Sequence, residues 1–208
     1  MLLLFRKARP DRVCILLIVY SLSFFLLNYY FDAISTNKHL LKVYYLIYTL
    51  FEYLLFACIL YLKITNKKFK KLILVLSLVF IGFATFYFLS FKYKTLDSIP
   101  IGVETILIFI YIIYYFNEMF RDTKNNLIYS NYIFWIFVGI MIYLGGLFFF
   151  NILANHLNSR ELVQYWPLTF LADIVKNVLL TVSIFVYAAN YVKNNIKSTS
   201  TVPHLDMV

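Results

Sequence analysis

The sequence predicts an all-α integral membrane protein, a single six-transmembrane-helix bundle with both termini cytoplasmic. Three observations predict it. Apolar residues make up 62% of the 208-residue chain and charged residues only 14%, against roughly 25% charged in an ordinary soluble domain. The apolar residues fall into six runs, each near the ~20 residues a helix needs to cross the hydrocarbon core. The basic residues between the runs collect on alternate loops. The mean hydropathy of +0.78 excludes a soluble globular domain and a disordered chain. Two cysteines, Cys14 and Cys58, exclude a disulfide scaffold; both read as reduced, buried and inert.

The first span, 13–31, follows Arg6, Lys7, Arg9 and Arg12. No small-residue cleavage site comes after it, so it reads as a retained span rather than a signal peptide. Spans at 43–62 and 72–91 follow, separated by the basic loop Lys63–Lys71. The fourth, 99–117, opens on Asp97-Ser98-Ile99-Pro100, a helix-start pattern of capping side chain and early proline, and closes at Asn117-Glu118. The fifth, 132–152, carries Gly139, Gly145 and Gly146 on nearly one face, a stripe that lets a neighbouring helix approach closely. The sixth, 167–192, is long enough to tilt or protrude. Residues 193–208, with Ser198-Thr199-Ser200-Thr201 and Pro203, read as a disordered cytoplasmic tail. Each run is apolar all round rather than alternating, so the spans are helices and not strands.

Orientation follows from the loops. One side carries Arg6, Lys7, Arg9, Arg12, Lys63, Lys67, Lys68, Lys70, Lys71, Arg121, Lys124, Lys193 and Lys197; the other carries Lys38, Lys42, Lys92, Lys94 and Arg160. The positive-inside rule places the first side, with both termini, in the cytoplasm. The net charge of +9 is thus a topology signal, and no nucleic-acid partner is expected. Lys67, Lys68, Lys70 and Lys71 could in addition meet anionic headgroups or a cytoplasmic partner.

Few charges remain inside the spans. Glu52 lies near the middle of the second, Glu104 early in the fourth, and Asp173 early in the sixth with Lys176 one turn on. A charge at that depth is expensive and normally faces the bundle interior or water. If the even spans are neighbours, the three acids could line one cavity open to the outside. Tyr44, Tyr48 and Glu52 share a face by their spacing of four, Glu104 shares one with Tyr111 and Tyr115, and Thr169, Asp173, Asn177 and Thr181 form a polar stripe. Asp173 and Lys176 are also what a structural ion pair looks like, and Glu52 could simply hold a proton and donate a hydrogen bond across helices.

Catalytic signatures are missing. There is no HExxH, GxSxG or P-loop pattern, and His39, His156 and His204 are scattered, so no catalytic residue, metal or cofactor is expected. The pieces Tyr48-x-x-x-Glu52, Asp97-Ser98-Ile99-Pro100-x-x-x-Glu104, Tyr114-Tyr115-Phe116, Phe134-Trp135 with Gly139 and Tyr143, and Asn177 resemble a group of uncharacterised bacterial multi-span membrane proteins, similar to the membrane input regions of sensor histidine kinases. With the absent catalytic motifs, the absent soluble domain and the possible outer acidic cavity, the resemblance leans toward a non-enzymatic sensor or signalling accessory of the plasma (inner) membrane acting through a partner, here without a kinase domain. The residues themselves leave an alternative open, a small ion- or proton-coupled transporter using Glu52, with six spans sufficing in a homodimer. An intramembrane lipid enzyme with Glu52 or Asp173 as general acid or base is a third reading, but no nucleophile or metal set accompanies the acids.

Overall fold

The computed structural model of the protein describes residues 11–35, 38–90, 98–121, 128–154, 161 and 164–199. Among them the secondary structure is entirely helical. Six long helices follow one another: α1 (Arg12–Ser35), α2 (Lys38–Lys63), α3 (Lys67–Ser90), α4 (Ser98–Arg121), α5 (Tyr132–Ala154) and α6 (Pro167–Thr199), with a short 3-10 turn, Ile128–Ser130, before α5. All six contain a stretch long and apolar enough to cross a membrane. A 24-residue helix rises about 36 Å, enough for the ~30 Å hydrocarbon core. The chain is therefore a multi-pass membrane protein by helix length and composition.

Hydrogen bonds at one end of the bundle fix the direction of every helix. The Lys63 ammonium, ending α2, lies 2.7 Å from the Asp11 carboxylate just before α1. It also donates to the Tyr132 hydroxyl opening α5, 3.0 Å away, and that hydroxyl donates to Asp11. Glu118, near the end of α4, accepts from the backbone N–H of Thr65 (2.9 Å) and Asn66 (3.1 Å), and from the Thr65 hydroxyl. Asn190, late in α6, donates to the Ser130 carbonyl at 2.7 Å. The starts of α1, α3 and α5 and the ends of α2, α4 and α6 thus share one end, which also holds Lys67, Lys68, Lys70 and Lys71.

Several boundaries differ from the sequence expectation: α1 runs on to Ser35 and α2 begins at Lys38, where 31 and 43 were expected. The Lys63–Lys71 loop shrinks to Ile64–Asn66. Asn66 caps α3, its side-chain oxygen accepting from the N–H groups of Lys68 and Phe69, so the lysines form the first turn of a helix instead of a loop. A lysine's aliphatic stem can lie along the bundle while its ammonium reaches the polar boundary, as Lys70 does over the Tyr61 ring. Helix α4 continues past Asn117-Glu118 to Arg121, and Glu118 within its last turn holds the α2–α3 turn. Helix α6 continues to Thr199, which corrects the expected disordered tail from 193; residues 200–208, Asp97, His156 and the side chain of His39 lie outside what is described.

Packing centres on α2, which lies against α1, α3 and α4, while α5 joins α4 to α6. Half of the α2 span is buried, against 22% of the α6 span. Tyr53, Phe56, Ile108, Ile112, Phe137 and Ile140 fill the interior. Phe25, Leu78, Leu89 and Phe149 point outward and are exposed, the arrangement expected where the surrounding solvent is lipid. Cys14 is buried as expected, but Cys58 is exposed, because it lies on the outward face of α2. The α5–α6 pair is the most closely packed. A Cβ on Gly146 would sit 2.9 Å from the Ala172 Cβ, and one on Gly139 3.2 Å from the Leu179 Cβ, so these two glycines let α6 approach, whereas Gly145 faces Phe109 of α4.

The Asp11–Lys63–Tyr132 junction makes a pH-dependent prediction. Partial burial pushes the Asp11 carboxyl up, but hydrogen bonds from Lys63 and Tyr132 and the lysine charge outweigh it and hold the group below the usual carboxylate range. A depressed folded-state value means the contribution is present above the unfolded value of about 3.9 and is lost as pH falls through the folded one. Asp11→Asn should cost no more than about 1 kcal/mol at neutral pH, since the pair is partly solvated. In thermal unfolding of the purified protein the gap between variant and wild type should close on acidification; a gap that widens there would contradict this account.

Candidate functional site

Four of the six helices converge on a buried chain of charged and hydroxyl groups. Glu52 in α2 is 3% exposed, and its Oε1 accepts a hydrogen bond from the Tyr20 hydroxyl of α1 at 3.1 Å. That hydroxyl in turn accepts from the Lys176 ammonium of α6 at 2.6 Å. Lys176 is also 2.6 Å from the Asp173 carboxylate one turn back. Its ammonium lies 3.6 Å from the centroid of the Tyr143 ring of α5 and 5.0 Å from that of Tyr20. The three N–H directions of the lysine are therefore taken by a phenol, a carboxylate and a ring face. The Tyr143 hydroxyl faces Glu52 as well and shares a 3.3 Å hydrogen bond with Tyr48.

Each group is held by local structure. Lys176 can sit at 3% exposure because Gly139 stands opposite it: a Cβ there would come within 3.7 Å of the Lys176 Cα and 3.5 Å of its carbonyl oxygen. Tyr20 is wedged between Phe24 and Phe56, with ring centroids 4.4 Å and 5.3 Å away. Asn177 donates to the second oxygen of Asp173 at 3.3 Å, which orients that carboxylate on the exposed side of α6. The geometry is that of a buried ion pair, Lys176 with Glu52, bridged by one phenol and extended by a half-exposed second acid.

A cavity of about 390 Å³ opens beside the chain. Tyr20, Tyr48, Tyr143, Asp173, Lys176 and Asn177 supply its polar wall, and Phe24, Phe25, Phe170 and Leu147 much of the rest. Asp173, with 48% of its side chain exposed, offers a carboxylate edge, whereas the Lys176 side chain is 4% exposed.

Among the residues expected from the sequence, the structure joins Glu52, Asp173, Lys176, Asn177 and Tyr48. Thr169 lines the cavity, but its hydroxyl is engaged with the Trp166 carbonyl at 2.8 Å. Tyr44 is buried and packs its ring against Phe31 and Tyr48 without lining the cavity. Glu104 lies outside the cavity, 2% exposed, with its Oε1 meeting no hydrogen-bond partner among the described residues. Tyr111, expected beside it, bonds instead to Tyr53 at 3.2 Å, and Tyr53 to Ser77 at 3.1 Å. The even spans therefore do not line one cavity: the wall comes from α1, α2, α5 and α6. Tyr20 and the cavity-facing role of Tyr143 were not read from the sequence, where a tyrosine in an apolar run looks like its many neighbours. The four lysines of α3 lie at the far end, clear of this cavity.

No group of three or more metal-ligating side chains occurs among the described residues. The chain matches no protein-family model, no curated protein and no solved structure.

Proposed function

We propose that the chain is a small proton-linked carrier of the plasma (inner) membrane, with its lysine-rich end and both termini cytoplasmic, and that Glu52 is its proton site. The observation that carries this reading is the chain Asp173–Lys176–Tyr20–Glu52 running from the cavity wall to a carboxylate in the bundle interior. Charged groups at membrane depth are costly and concentrate where ions or protons are handled. Tyr20 accepts from Lys176 and donates to Glu52, so its hydroxyl can pass a proton on. The Lys176 Nζ gives a proton to the phenol oxygen while the phenol gives its own to Glu52 Oε1, turning a charged pair into a neutral one without moving a helix. Lys67, Lys68 and Lys71, exposed at one end, support the orientation.

The test is proton uptake by liposomes containing the purified protein and a trapped pH dye, under an imposed potential. Wild type should acidify faster than empty liposomes, and Glu52→Gln should reduce the rate at least tenfold while inserting normally. Uptake by the variant at the wild-type rate would overturn the reading.

A second reading, a sensor or signalling accessory, draws on the same exposed lysines as a surface for a cytoplasmic partner. Replacing Lys67, Lys68 and Lys71 with glutamine should then release that partner and leave the bundle's unfolding temperature unchanged.

A further inference from the structure

A second cavity of about 300 Å³ lies between α1 and α6. Its wall is apolar, formed by Leu17, Ile18, Leu22, Leu180 and Ile184, and it shares Ser21 and Asn177 with the polar cavity. The two therefore form one seam between the first and last helices, which are not among the closely packed pairs of the bundle. The seam is polar where it passes Asp173 and apolar toward the lysine-rich end.

We propose that this seam binds a single-chain amphiphile with a cationic head, the head at Asp173 and the tail beside Ile18 and Leu22. The proposal deepens the carrier reading by naming the class of ligand that the cavity beside the Asp173–Lys176–Tyr20–Glu52 chain takes. The sign of the head follows from what the cavity presents. The Lys176 ammonium is already committed to Tyr20, Asp173 and the Tyr143 ring, so an anionic head finds no free donor of that charge. Asp173 is half exposed to the cavity, and two carboxylates, Glu52 and Asp173, face one ammonium, so a monovalent cation balances the group. Phe24, Phe25 and Phe170 line the same space, and aromatic faces attract a desolvated ammonium. The tail follows from the continuation: Ile18 is 40% and Leu22 59% exposed, leaving the apolar half open sideways to a chain arriving from the lipid.

The test is native mass spectrometry of the full chain released from a non-ionic detergent, with dodecyltrimethylammonium, tetramethylammonium and dodecyl sulfate as probes. One dodecyltrimethylammonium should bind per chain. Asp173→Asn should weaken it at least tenfold, and Ile18→Trp, which places an indole in the apolar half of the seam at a 40% exposed position, should weaken it comparably while leaving tetramethylammonium binding in place. Dodecyl sulfate binding as tightly as the ammonium, or binding indifferent to Asp173→Asn, would overturn the proposal. Tetramethylammonium competing as well as the long-chain form would overturn its tail. Cation binding without Glu52-dependent proton uptake would leave the amphiphile site standing and remove the carrier reading, while uptake without cation binding would do the reverse.

Discussion

Lys176→Met should destabilise the bundle by about 3 kcal/mol, the cost of leaving a buried charge without its partner. In the native protein the ammonium is almost fully buried and meets a phenol and a carboxylate at 2.6 Å each. Methionine preserves the bulk but leaves Glu52 in the interior with hydroxyl partners alone. For a chain of this size that corresponds to roughly 6–12 °C in Tm. The free thiols provide a readout: with the exposed Cys58 replaced by serine, the buried Cys14 reacts with a maleimide dye only on unfolding. Combining Lys176→Met with Glu52→Gln should recover most of the loss, because the uncompensated charge is then gone. Equal stability of Lys176→Met and wild type would mean the ammonium is not buried as described.

Gly146→Val should cost a further ~2 kcal/mol or more by a different route, overpacking of the α5–α6 interface. Even an alanine Cβ there would stand 2.9 Å from the Ala172 Cβ, and both atoms are tied directly to helix backbones that must move apart. Gly146→Ala should therefore cost about 1 kcal/mol, and Ala172→Gly in the same chain should restore part of it. Gly82 is the internal control. Nothing lies within 4 Å of its Cβ position, so Gly82→Ala should be neutral or stabilising by up to ~1 kcal/mol from helix propensity. The thiol-reactivity assay separates these cases; a Gly146→Ala protein as stable as Gly82→Ala would contradict the close approach.

The fold was legible because length and hydropathy decide it: a run of about 20 apolar residues has few alternatives to a spanning helix. The Asp173–Lys176 pair was legible because its geometry is local, three residues apart on one helix. The partner of Glu52 was not. Spacing pointed to Tyr48, one turn earlier on the same helix face, but a shared face does not fix which hydroxyl bonds the carboxylate. Tyr48 instead shares its hydroxyl with Tyr143 of α5, and the Glu52 Oε1 accepts from Tyr20 of α1. Tyr111 likewise bonds Tyr53 of α2 instead of Glu104 on its own helix. Which of 19 tyrosines faces a buried acid depends on how helices far apart in sequence pack, and one-dimensional spacing carries no information about that. The α2–α3 turn was misplaced for a related reason: its closure relies on Glu118, more than 50 residues away.

The central claim is that Glu52 and the cavity at Asp173 are two ends of one charge-balanced unit. It is tested most directly by the affinity for dodecyltrimethylammonium, read by native mass spectrometry, of wild type and Glu52→Gln. With Glu52 and Asp173 both ionised against the Lys176 ammonium, removing the Glu52 charge leaves Lys176 and Asp173 already balanced, so the variant should bind the cation at least tenfold more weakly although Glu52 does not line the cavity. Equal affinity in the two proteins would contradict it.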